Sequence, residues 1–157
     1  MTVSLWRIAS DTPSWTAEDM AGKGAASSGS RWNHAGEHVT YTATSISLAA
    51  WETRAHFGKG AVLPWNRILV RIDVPDAVWG ARALTPRPLP VGWNVVPEGM
   101  VSRSIGSAWL ASGVSALLVV PSVIINEEDN VLINPAHPGA AGITVARVRQ
   151  FIYDHRV

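Results

Sequence analysis

Few side chains in this sequence are typed and spaced for chemistry, and the most familiar spellings among them fail on context. Gly24-Ala25-Ala26-Ser27-Ser28-Gly29 has the glycine spacing of a phosphate-binding loop, but Ser30-Arg31 stands where lysine and serine or threonine belong, and no apolar strand precedes it. No Gly-x-Gly-x-x-Gly follows a strand, so a dinucleotide bound here is not held by a Rossmann turn. His34-Ala35-Gly36-Glu37-His38 spells the His-x-x-Glu-His of a zinc peptidase, which needs a helix to bring both histidines to one face. The segment instead has the composition of a turn, and Val39 to Thr42 continues as strand. His137, between Pro135 and Pro138, belongs to a rigid turn. A Gly-x-Ser-x-Gly elbow is missing, and the absence of cysteine removes thiolate nucleophiles, thiolate metal sites and disulfides.

What remains is Glu52 with Arg31 and Tyr41. A helix over residues 45 to 57 puts Glu52 three or four positions from Leu48, Ala49, Ala55 and His56, on the face that packs against a sheet. An unpaired carboxylate buried there costs several kcal/mol, so Glu52 needs partners or a cleft. Arg31 leaves a glycine- and serine-rich loop whose backbone can approach a phosphate, and a guanidinium can grip a phosphate in two places. Tyr41 lies on the strand just before the Glu52 helix, so a short connection brings phenol and carboxylate together. An aromatic plane, a phosphate-binding fork and a carboxylate suit a nucleotide with a heterocyclic leaving group. The competing reading is a non-catalytic nucleotide-binding module, with Glu52 solvated at the helix edge.

The elements that must position these groups can be traced along the chain. Val3 to Ala9 suits a strand, broken at Asp11-Thr12-Pro13-Ser14, and residues 22 to 30 read as a flexible loop. His38 to Thr42 is a short strand; Thr44 or Ser45 caps the helix, which stops at Gly58. Arg67 to Val74 is a strand, and Pro86, Pro88, Pro90 and Pro97 deny regular structure to a long loop. Ser102 or Ser104 caps a helix through Leu110, closed by Gly113. Ala116 to Val120 and Val131 to Ile133 are strands, and Ile143 to Asp154 fits strand or helix. Many strands with few helices predict an α+β fold with a mixed or antiparallel sheet.

At 157 residues the chain fits one domain, and 47% hydrophobic with 16% charged residues places it among globular proteins. A net charge of +1 gives no global field for nucleic acid or an anionic membrane, so any anion is bound locally. Eight tryptophans are many for this length, and most are expected simply to pack. No stretch approaches the roughly 20 apolar residues of a membrane span, and the expected location is the cytoplasm.

Several blocks, in order, carry a resemblance over nearly the whole chain. Gly29-Ser30-Arg31-Trp32-Asn33, Val39-Thr40-Tyr41-Thr42, Leu48-Ala49-Ala50-Trp51-Glu52, Val119-Val120-Pro121-Ser122 and Ile133-Asn134-Pro135-Ala136-His137-Pro138 together resemble the RES-domain proteins, toxins of Xre-RES toxin–antitoxin pairs. The resemblance implies a single RES domain over residues 1–157, with a split sheet related to the ADP-ribosyltransferase toxins. It implies cleavage of NAD+ as substrate at the nicotinamide–ribose bond, without metal or cofactor. The acceptor of ADP-ribose stays open among water, inorganic phosphate as co-substrate, and a protein side chain. Residue by residue, it makes Glu52, Arg31 and Tyr41 catalytic, and Arg7, Trp32, Ser122 and Asn134 NAD-binding, with Arg31, Glu52 and Ser122 the name-giving trio. It further implies a cognate antitoxin that covers the active site and through which the toxin can oligomerise. One departure is visible: after Asn33 the chain reads His34-Ala35-Gly36, where the family is expected to carry proline.

Overall fold

The computed structural model describes Met1 to Val157. Its strands are β1 (Thr2–Ser10), β2 (Thr40–Ala43), β3 (Arg67–Pro75), β4 (Ala83–Leu84), β5 (Leu117–Pro121), β6 (Asp129–Ile133) and β7 (Thr144–Gln150). The helices are α1 (Lys23–Ser28), α2 (Ile46–Ala55), α3 (Asp76–Gly80) and α4 (Met100–Ser112), with a 3-10 turn at Pro138–Gly142. The strands form one sheet of order β4-β5-β6-β2-β1-β3-β7. Only β4 and β5 run parallel, so the sheet is mixed and the fold is α+β, as the sequence predicts.

The sheet is nearly divided at its middle. β1 pairs with β3 from Thr2–Pro75 to Ser10–Arg67, and β2 pairs with β6 from Thr40–Ile133 to Ala43–Asn130. Between these halves, β1 and β2 share one pair, Trp6 with Ala43. Strand side chains alternate between faces, and on one face the alternation builds an unbroken core. Leu5 and Ala9 join Ile68, Val70, Ile72 and Val74 of β3, Leu117 and Val119 of β5, and Val131 and Ile133 of β6. On the other face the core is in two pieces. Ile8, Ala43 and Leu69 pack with Leu48 and Ala49 of α2, while Leu118, Val120 and Leu132 pack with Trp32, Val39 and the α4 residue Trp109.

Two local expectations change, and one open alternative is settled. Residues 23–28 form a short helix where a flexible loop was expected, bracketed by Gly22 and Gly29, both at φ 71°. A Cβ on Gly22 would lie 2.4 Å from the Val39 nitrogen, and one on Gly29 2.9 Å from the Ala35 nitrogen. The glycines therefore serve backbone close to backbone, in a conformation that side chains resist. α4 starts at Met100, ahead of the serines expected to cap it, and Ser102 donates instead to the Arg31 carbonyl at 2.7 Å. The ambiguous C-terminal stretch is strand β7, decided by its ladder with β3.

Candidate active site

A cleft of about 570 Å³ opens where β1 and β2 part. Trp6, Arg7 and Ile8 line it from β1, Tyr41 and Thr42 from β2, and Glu52, Thr53 and His56 from α2 and its end. Gly29 and Ser30 lie along it from the loop after α1, with Glu98 and Asn130 completing the wall.

Helix α2 holds Glu52 firmly. Ser45 caps it, its hydroxyl accepting from the Leu48 amide, as expected. Leu48 and Ala49 bury one side of the helix on the sheet. Its last turn is braced by the C-terminal tail, where the Tyr153 hydroxyl donates to Thr53 Oγ1 at 2.8 Å and Arg54 Nε donates to the Val157 carbonyl at 2.9 Å. Glu52 is half-buried, and one carboxylate oxygen, Oε1, accepts from Ser122 Oγ at 2.7 Å and from Asn130 Nδ2 at 2.5 Å. Ser122 is itself fixed, its hydroxyl accepting the Ile124 and Ile125 amides at 3.1 Å each. The other oxygen, Oε2, has no protein partner and is not sealed from solvent.

Arg7 is the cation of the cleft. Its one hydrogen bond runs from Nη1 to the Asp19 carbonyl at 3.1 Å, which leaves the rest of its donor fork unengaged. Burial pushes its guanidinium below the ordinary value and the charge of Asp19 opposes this, but arginine stays charged at any working pH. Tyr41 presents its ring to the cleft while its hydroxyl is held from behind, accepting from the Trp32 amide at 3.0 Å and donating to Asn33 Oδ1 at 2.7 Å. Burial pushes this phenol well above its ordinary range, so it remains a neutral donor.

The other expected site residues lie elsewhere. Arg31 is not in the cleft wall: its Nη1 donates to the carbonyls of Trp93 and Val95 at 3.2 and 3.0 Å, tying down the proline-rich loop that carries Glu98. The Trp32 side chain is 2% exposed, packed in the core beneath α4 and stacked on Trp93, so only its main-chain amide reaches the site, through Tyr41. Asn134 is buried in the turn after β6, where Oδ1 accepts the Ala136 amide at 3.0 Å. His34 and His38 meet different partners, Ser107 Oγ at 2.7 Å and the Ala21 carbonyl at 2.9 Å. His137 Nδ1 accepts from the Gly139 amide within its turn. Asn130 and Glu98 escape sequence reasoning altogether. Asn130 sits on a strand with no motif around it, and Glu98 follows a proline-rich stretch that carries no positional signal.

Comparison with known proteins matches this architecture from end to end. A family model described as RES domain covers residues 4–154. The chain is 51% identical to the Prs ADP-ribosylating toxin of Sphingobium sp. (strain YBL2), over 100% of this chain and 98% of that protein. It is 34% identical to a protein named Toxin Res from Pseudomonas putida (strain KT2440), over 98% of each. Among solved structures, the M. tuberculosis MbcT–MbcA toxin–antitoxin complex has a chain of similar fold, with a TM-score of 0.66 at 16% identity over 95% of this chain and 85% of that one. From β1, through the anchored Glu52–Ser122 pair, to the tail that braces α2, the matched region takes in every element of the cleft, and the chain belongs to the RES-domain family.

Proposed function

We propose that this chain is the toxin of a toxin–antitoxin pair, and that it breaks the nicotinamide–ribose bond of NAD+ and transfers ADP-ribose to a protein. The observation that carries this reading is Glu52, with Oε1 anchored by two donors and Oε2 open to a cleft that also presents the Arg7 guanidinium and the Tyr41 ring. Nicotinamide departs as a neutral ring with the electron pair of the broken bond, leaving positive charge on the ribose. A fixed carboxylate oxygen stabilises that charge directly or through the ribose hydroxyls. The acceptor atom then bonds to the ribose carbon and gives up its proton.

In this reading Tyr41 stacks on nicotinamide, Arg7 takes the diphosphate with its open donors, and Ser122 acts through Glu52. Arg31 acts through the loop it holds, keeping Glu98 at the cleft wall, and Trp32 acts through the main-chain bond that fixes Tyr41. A protein acceptor is favoured because the relative at 51% identity is named for ADP-ribosylating Prs. An antitoxin covering the cleft mouth belongs to the same proposal, supported by the toxin names of the relatives and by the toxin–antitoxin complex of similar fold.

The test is to incubate the purified chain with NAD+ labelled in its adenosine half, with and without Prs and with and without inorganic phosphate. Nicotinamide release with label on Prs is expected. Free ADP-ribose, or its phosphate ester, would instead make the enzyme a glycohydrolase or a phosphorylase. Intact NAD+ under every condition contradicts the reading.

A further inference from the structure

Asn130 lies on β6 between β2 and β5, opposite Ala43 on one side and Val120 on the other, so its backbone is fixed by strands on both flanks. Its side chain projects to the face that carries α2 and lines the cleft. Nδ2 donates to Glu52 Oε1 at 2.5 Å, while Oδ1 is buried with no partner at all. The amide cannot be turned round to relieve this. Glu52 Oε1 already accepts the Ser122 hydroxyl, and a carboxylate oxygen facing an amide oxygen at that distance would be repulsive.

An orphaned buried acceptor lowers stability and calls for an explanation. An apolar side chain would remove the penalty, and what the amide gives in return is the bond to Glu52. With Ser122 alone, the carboxylate could swing about a single hydrogen bond. A second donor on the same oxygen, arriving from a different strand, defines its plane. We propose that Asn130 is a positioning residue that locks the Glu52 carboxylate so that Oε2 faces the scissile bond of NAD+. The proposal rests on the reading of Glu52 given above, and its test separates the two.

Turnover is measured as nicotinamide release from NAD+ under whichever acceptor condition supports it in the wild type. Asn130→Ala is expected to lower kcat at least about tenfold, the scale of one hydrogen bond to a charged group, with KM for NAD+ changed less than about threefold. Its melting temperature should be unchanged or higher, because the orphaned oxygen is gone; a merely structural role would lower it. In Asn130→Asp the new side chain donates to Glu52 only when it carries a proton. Its turnover relative to wild type should therefore rise severalfold as pH is lowered from about 8 to about 6. The charged groups around the carboxylate, His56 on its own helix and Arg7 and Glu98 on the cleft wall, are common to both proteins and cancel in that ratio. Normal kcat in Asn130→Ala beside an inactive Glu52→Gln overturns the proposal and leaves the Glu52 reading standing, whereas normal turnover in Glu52→Gln overturns that reading. Independently of turnover, a crystal structure of Asn130→Ala should show the Glu52 carboxylate displaced or in several conformers, and a single unchanged conformer contradicts the lock.

Discussion

On one face of the sheet, Leu5, Val70, Leu117 and Val131 belong to one buried cluster that spans both halves of the sheet; on the other, the buried residues divide into a group under α2 and a group under α4. The cleft occupies the gap in the divided face, over the place where β1 and β2 keep one shared pair. The difference teaches how a small fold can leave a reactive groove without falling apart. The unbroken face ties the two halves together by burial of apolar side chains, so the opposite face is free to expose a carboxylate and an aromatic ring at the seam. Arg7, which alternates with Leu5 and Ala9 and lies opposite Val70, joins the cleft wall from the other side of the sheet.

If the faces divide labour in this way, substitutions on each should carry opposite signatures. Glu52→Gln should lower NAD+ cleavage by at least about a hundredfold, the scale of one preorganised electrostatic group, with no change in melting. Leu5→Ala, on the unbroken face, should do the reverse. Leu5 is fully buried, so truncation should destabilise the fold by about 2–5 kcal/mol in denaturant titration, while turnover per folded molecule stays near wild type. A Leu5→Ala protein that is stable but inactive, or a Glu52→Gln protein that melts early, breaks the comparison.

Two arginines sharpen it, one in the cleft wall and one holding the loop beside it. Arg7→Ala should weaken binding of a non-cleavable NAD+ analogue roughly 10- to 100-fold by calorimetric titration, because charge-assisted bonds to the diphosphate are lost. Arg31 reaches both loop carbonyls through a single nitrogen, which an ammonium can imitate. Arg31→Ala should therefore cost several-fold in the same titration and Arg31→Lys little, whereas a two-pronged grip on phosphate predicts failure of both. The smallest effect lies away from the cleft. Arg147 hydrogen-bonds Asp11 and Glu18 and holds both carboxyls below their ordinary range. The stability they contribute is present at neutral pH and fades as pH falls through those lowered values. Arg147→Ala should slightly blunt the acid dependence of Tm and leave turnover unchanged.

The same division explains what was legible in the sequence. Glu52 stood out because an ionisable group on the packing face of a helix needs partners, and the partners exist. Five of the strands, the Ser45 cap and the α+β class follow from local periodicity and turn chemistry, whereas β4 and β7 are settled by their pairing with β5 and β3. Arg31 could be placed at the end of a glycine-rich segment, but its proximity to the carbonyls of residues 93 and 95 depends on how a proline-rich loop folds back, which no local pattern encodes. Trp32 and Asn134 belong to informative blocks yet serve the core beneath α4 and the turn after β6. Asn130 is set by register: it reaches Glu52 because β6 pairs with β2 so that Asn130 lies opposite Ala43, at the strand end that leads into α2.

A crystal structure of the Glu52→Gln variant with NAD+ bound tests the cleft most directly. The nicotinamide ribose should lie within hydrogen-bond distance of residue 52, with the nicotinamide ring against Tyr41 and the diphosphate at Arg7. NAD+ bound away from the seam between β1 and β2, or no binding at saturating concentration in a folded variant, would contradict the assignment of this groove as the site of NAD+ cleavage.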